Sequence, residues 1–89
     1  MGKMTSEEIK EIIYKYIKDE FLEDTEEEID YDTPLISGGY VDSFSMVSLL
    51  VFLERRFQIK IPPSKATPEA FDSVNKIFDL LIQFIQITN

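Results

Sequence analysis

The stretch "GGYVDSFSMVSLLVFLERRF", residues 38–57, runs from two glycines straight into an almost unbroken apolar pattern. Its apolar side chains fall at 44, 46, 47, 49, 50, 51, 52, 53 and 57. That spacing predicts a helix from about Ser43 to Phe57. A helix apolar nearly all round should be buried on most sides. A chain this short, however, buries only about 60–65% of its unfolded surface. The helix therefore splits into two stripes. Leu49, Leu50, Leu53 and Phe57 make the inward one, while Phe44, Val47 and Val51, at steps of three and four, face solvent or a partner. Ordinary core packing is the competing explanation for each of these three.

Upstream lies "MTSEEIKEIIYKYIKDEFL", residues 4–22. Thr5 followed by Glu8 reads as a capping box. Ile9, Ile12, Ile13, Tyr16 and Ile17 recur on one helical face, which predicts a helix over about 6–21. Residues 22–42 read as a long loop, punctuated by Pro34 and Ser37-Gly38-Gly39 and anchored by Ile29, Leu35 and Ile36. A loop of that length in a small domain is functional or mobile. Downstream, "QIKIPPSKATPEAFDS", residues 58–73, gives a short extended piece, a double-proline stop and one helical turn near Pro68 to Phe71. Asp72 or Ser73 then caps a last helix, "VNKIFDLLIQFIQI", residues 74–87. Val74, Ile77, Phe78, Leu81, Phe84 and Ile85 are its core candidates. The expected fold is all-α: a small bundle of three long helices and one short one, forming a single domain over residues 1–89.

Composition narrows the chemistry. The chain has no cysteine and no histidine. Disulfides, thiolate metal sites and a protein-borne nucleophilic thiol are excluded, and the commonest general base is missing. A carboxylate-based enzyme would need a paired-acid motif on a defined element, and none is visible. The net charge of −8 is uneven: residues 1–42 hold thirteen acids and four bases, residues 43–89 four acids and five bases. The densest part, "DEFLEDTEEEIDYD" at 19–32, has nine acids and no base. It disfavours nucleic acid and anionic lipid, and reads either as a solvated loop or as a surface for a basic partner. Its spacing does not match a calcium-binding EF-hand loop. The longest apolar run, interrupted by Asp79, Gln83 and Gln86, is too short to span a bilayer. Met1-Gly2 with Ser6 matches the myristoylation pattern only on paper. The expectation is a cytoplasmic monomer that neither binds nucleic acid nor inserts stably in a membrane.

The Asp42-Ser43 pair stands where loop becomes helix. Both residues are favoured caps, and a serine cap is worth about 0.5–2 kcal/mol. The same place suits an added anion, because the first-turn amides lack partners and the helix dipole is positive there. The preceding glycines leave room for close approach. Local chemistry alone leaves cap and anchor both open.

Residues 34–62, "PLISGGYVDSFSMVSLLVFLERRFQIKIP", resemble the acyl and peptidyl carrier proteins. The shared landmarks are Gly39, Asp42-Ser43, Phe44, an apolar helix, "LERRF", "IKI" and Pro62. The charged first helix, the long acidic loop and the Ser73-Val74 helix start extend the likeness over nearly the full length. The resemblance implies that Ser43 receives 4′-phosphopantetheine from coenzyme A, attached by a phosphopantetheinyl transferase with magnesium. It implies that Asp42 presents the serine and that the arm's thiol holds cargo as a thioester. The second helix would be the docking surface, with Phe44, Val47, Val51 and Glu54 meeting the transferase, an acyl- or aminoacyl-activating ligase and downstream transferases. In two respects the chain departs from familiar fatty-acid carriers. Ser45, Ser48, Arg55 and Arg56 stand where acids are usual on that helix, leaving Glu54 its only acid. Phe52 is bulky where a small residue is common, and would fill the space a long acyl chain needs. "PEAFDSVNKI" looks like stand-alone D-alanyl and aminoacyl carriers. Short cargo is therefore expected. The alternative is an unmodified helical adaptor in which Ser43 is only a cap.

Overall fold

The computed structural model describes residues 5–22 and 28–85. Met1 and Gly2, residues 23–27 of the acidic stretch and the expected end of the last helix at 86–87 lie outside them. Three α-helices and one short 3₁₀ turn follow in the order α1 (Ser6–Phe21), α2 (Ser43–Phe57), η1 (Pro63–Lys65) and α3 (Val74–Leu81). No strand occurs among the described residues, as the all-α reading requires.

Helix α1 starts on the expected capping box. Thr5 Oγ1 accepts the Glu8 N–H at 3.2 Å, and Glu8 Oε1 accepts the Thr5 N–H at 2.9 Å. Ile9, Ile13 and Ile17 are fully buried at steps of four, with Ile12 and Tyr16 half-buried beside them. Helix α2 buries Leu49 and Leu53 completely, and Leu50 and Phe57 in part. Each such fully buried side chain contributes about 1.5–3 kcal/mol over leaving it exposed. The backbones of α1 and α3 pack directly on one another. Helix α2 meets α1 through large side chains: the Tyr16 and Phe52 rings stack with centroids 3.8 Å apart. Loop residues Leu35, Val41, Ile61 and Phe71 complete the core between the helices.

Helix α2 ends at Gln58, which adopts the left-handed conformation with φ of 56° and donates its N–H to the Glu54 carbonyl. Glu54 does more than expected, since its Oε2 also accepts the Ile61 N–H at 2.9 Å. It braces the extended segment that follows the helix.

Two expectations need correction. The double proline does not simply stop the chain, because Pro63 opens η1, the place in a helix where a missing N–H costs nothing. Residues 68–71 form the single turn expected there, closed by the Phe71 N–H on the Thr67 carbonyl at 3.2 Å. Regular α3 also ends earlier than its apolar pattern suggests. After Leu81 steps of three enter the hydrogen bonding, with Gln83 N–H on the Leu80 carbonyl at 3.2 Å and Phe84 N–H on the Leu81 carbonyl at 2.8 Å, and Phe84 and Ile85 are only half-buried.

The described part of the acidic loop is tied to its neighbours. Asp30 Oδ1 accepts the Asp32 N–H and the Thr33 hydroxyl at 2.9 and 3.0 Å, and Asp32 Oδ1 accepts from the Asn75 side-chain amide at 2.6 Å. Tyr14 donates its hydroxyl to the Ile29 carbonyl at 3.0 Å. The Asp32 N–H on its oxygen, with the Thr33 hydroxyl, holds the Asp30 carboxyl below the usual carboxylate range. No cluster of metal-ligating side chains occurs among the described residues.

Candidate functional site

The site is assembled from two ends of the chain. Asp72 Oδ1 accepts the N–H groups of Ile36 and Ser37 at 2.7 and 2.8 Å, and its Oδ2 accepts the Ser37 hydroxyl at 2.8 Å. The Asp72 carbonyl takes the Leu35 N–H at 2.6 Å. Leu35 is fully buried, and its own carbonyl accepts both the Tyr40 and the Val41 N–H, at 2.8 and 2.9 Å. Residues 35–41 thus form a closed turn hung from Asp72. Both glycines serve it: a Cβ on Gly38 would sit 2.2 Å from the Pro34 carbonyl oxygen, and Gly39 has a φ of +86°.

Val41 seats the end of this turn in the core, and Asp42 follows as the N-cap of α2. Its backbone is extended, and its Oδ1 accepts the Ser45 N–H at 2.7 Å. That contact, with the Ser45 hydroxyl adding to it, pulls the Asp42 carboxyl below its ordinary pKa. Of the two possible caps, the structure uses Asp42. Ser43 is the first helical residue, exposed, and its hydroxyl makes no hydrogen bond among the described residues. A capping contribution from the Ser43 side chain is therefore not present.

Asp72 is also displaced from its expected role. Ser73 caps α3, accepting the Lys76 N–H at 3.1 Å. The Asp72 carboxyl is held low chiefly by the Ser37 N–H, aided by the Ser37 hydroxyl, the Ile36 N–H and the charge of Lys76, against an opposing effect of partial burial. Sequence reasoning missed this residue as part of the site, because its partners lie 35 and 36 positions away and no local pattern encodes them.

Along α2 from Ser43, Phe44, Val47 and Val51 are 87%, 54% and 42% exposed. They form an apolar strip on the same helix as the free hydroxyl. Glu54, expected to join that strip as a docking acid, is half-buried with one oxygen committed to Ile61. Its place in the fold is that of a brace.

These features fit a phosphorylated arm. Ser43 is exposed and its hydroxyl has no hydrogen-bond partner among the described residues, and an added phosphate would lie beside the first-turn amides of α2, where the helix dipole favours negative charge. An exposed serine at a helix N-terminus with an apolar strip beside it suits the covalently armed carriers that the sequence resembles. Comparison with known proteins gives the family. A profile described as "Phosphopantetheine attachment site" matches residues 13–81, and the chain belongs to that family. It is similar to the D-alanyl carrier protein of Streptococcus suis (strain 98HAH33), 36% identical over 78 residues that cover 88% of this chain and 96% of that one. The D-alanyl carrier protein of Streptococcus sanguinis (strain SK36) is 35% identical over 72 residues, 81% of this chain and 89% of the relative. That of Streptococcus mutans serotype c has the same identity and coverage. The protein is thus a carrier and not an enzyme, with a covalent 4′-phosphopantetheine, and its family works with a phosphopantetheinyl transferase and with ligases. No helix among the described residues is long and apolar enough to cross a membrane.

Proposed function

We propose that Ser43 is the attachment residue and that the cargo is a small aminoacyl group of the D-alanyl kind. The observation that carries the first part is the unpaired, exposed Ser43 hydroxyl at the first position of α2, directly after the Asp42 cap. Ser43 would hold the group through a phosphodiester, and the group, when bound, supplies a thiol that carries cargo as a thioester. The chain contributes the rest. Asp42 fixes the first turn, so that Ser43 is offered on rigid backbone with no described residue competing for its oxygen. The Asp42 carboxylate, next to the serine, would also serve the transferase and its magnesium.

Two features support short cargo. The Tyr16–Phe52 stack fills the seam between α1 and α2, and the relatives named above are D-alanyl carriers. The docking face is Phe44, Val47 and Val51, whose exposure is far above what core residues tolerate. Its partners are the transferase, an aminoacyl-activating ligase and the enzyme that takes the cargo off.

The test is an intact-mass measurement after incubation with coenzyme A, magnesium and a transferase of broad tolerance. Expected is a gain of one phosphopantetheinyl group, absent in Ser43→Ala. Loaded protein is then offered to a D-alanine-activating ligase and to a fatty-acyl ligase, with acylation read by mass. A gain retained by Ser43→Ala moves the attachment elsewhere, and acylation by the fatty-acyl ligase alone refutes the cargo.

A further inference from the structure

We propose that Asp72 is a positioning residue for loading at Ser43: its carboxylate sets the shape in which residues 35–43 are offered to the modifying enzyme. This rests on the reading of Ser43 as the attachment residue and adds the group that frames it.

Asp72 is free for this work because Ser73 caps α3. Both of its carboxylate oxygens point instead at residues 36 and 37, taking two backbone N–H groups and a hydroxyl. Hydrogen bonds to an ionised acceptor are roughly twice as strong as neutral ones, and three converge here. From that anchor the order passes along the backbone. The Asp72 carbonyl fixes the Leu35 N–H, and the Leu35 carbonyl fixes the Tyr40 and Val41 N–H groups. Val41 is locked in the core, and Asp42 and Ser43 follow immediately. Asp72 therefore acts on the serine through the path of the main chain. Without its carboxylate the two N–H groups and the Ser37 hydroxyl lose their acceptor, and the turn before α2 is held by its main-chain bonds alone. An enzyme that must bring the serine oxygen to a phosphate meets a looser target, and binding suffers before chemistry does.

Loading kinetics followed by intact mass, with the same broad transferase, magnesium and coenzyme A, give kcat and KM for the carrier. Wild type and Ser43→Ala first establish attachment. Asp72→Ala is expected to lower kcat/KM about tenfold, mostly through KM, at a temperature where circular dichroism shows it as folded as wild type. Asp72→Asn keeps an acceptor oxygen for both N–H groups and can donate to Ser37 Oγ, and should restore kcat/KM to within about twofold. Ser37→Ala removes only the hydroxyl contact and should cost about two- to threefold. It also serves as the deciding variant should Asp72→Ala not fold. A residue that merely stabilises the fold would lower Tm and leave KM of the folded protein alone. If wild type loads and Asp72→Ala, or in its place Ser37→Ala, loads with unchanged KM, the positioning role is overturned while Ser43 stands. If wild type gains no mass, both fall together.

Discussion

Neighbouring side chains divide the work at the start of α2. Asp42 makes the cap and Ser43 makes none. Ser43→Ala should consequently melt within about 3 °C of wild type, the range of an exposed substitution that removes no contact. Asp42→Ala deprives the Ser45 N–H of its acceptor and should lower Tm by about 4–8 °C, while Asp42→Ser keeps most of that stability. Thermal unfolding followed by circular dichroism separates the three. A large drop in Ser43→Ala would mean that its hydroxyl has a structural partner after all. The adjacent glycines differ in the same measurable way. Gly38→Ala drives a methyl into the Pro34 carbonyl oxygen, a backbone atom that cannot step aside, whereas Gly39→Ala meets only open space and a positive φ. The first should cost more than the second, although a sequence shows them as twins. Asp-Ser at a loop–helix junction announces a special place; which of the two residues caps depends on backbone angles that composition does not carry.

At the scale of elements, α1 and the two stripes of α2 were legible because periodicity and caps are local signals. Ile9, Ile13 and Ile17 lie where the spacing puts them, and Leu49 and Leu53 separate cleanly from Phe44, Val47 and Val51. Val47→Glu should therefore leave helix content and Tm near wild type while weakening recognition by the loading enzymes; a loss of helical signal would place Val47 in the core. Leu53→Ala, in contrast, should cost about 2–5 kcal/mol in chemical denaturation. The less legible parts are those governed by distant contacts. The single turn at 68–71 is expected from the sequence, but not its use: Phe71 is wholly buried and the bend there delivers Asp72 to residues 35–37. Glu54 is expected from the sequence as a docking acid, and its acceptor duty to Ile61 appears only once the following segment is folded back.

For the whole molecule, three carboxylates report on integrity at once. Asp30, Asp42 and Asp72 all have folded pKa values below their ordinary ones, each because N–H groups converge on the ionised form. Their stabilising effect is complete above the unfolded aspartate pKa of about 3.9 and is lost as pH falls through the lower folded values. Tm should stay level down to about pH 5 and decline below about pH 4, with a shallower decline in Asp72→Asn, which keeps the hydrogen bonds and does not titrate there. An unchanged acid profile in that variant would show that Asp72 contributes nothing to it. The link between Asp72 and residues 35–37 also has a temporal side. A ribosome makes Ser43 before Asp72, and at about 5–20 residues per second the interval is a few seconds. During that interval the serine has emerged ahead of the partner that shapes its surroundings, so a nascent chain offers the hydroxyl without its frame. Modification that depends on that frame would wait until residue 72 too has left the ribosome, so that an arm on Ser43 would mark a chain already folded.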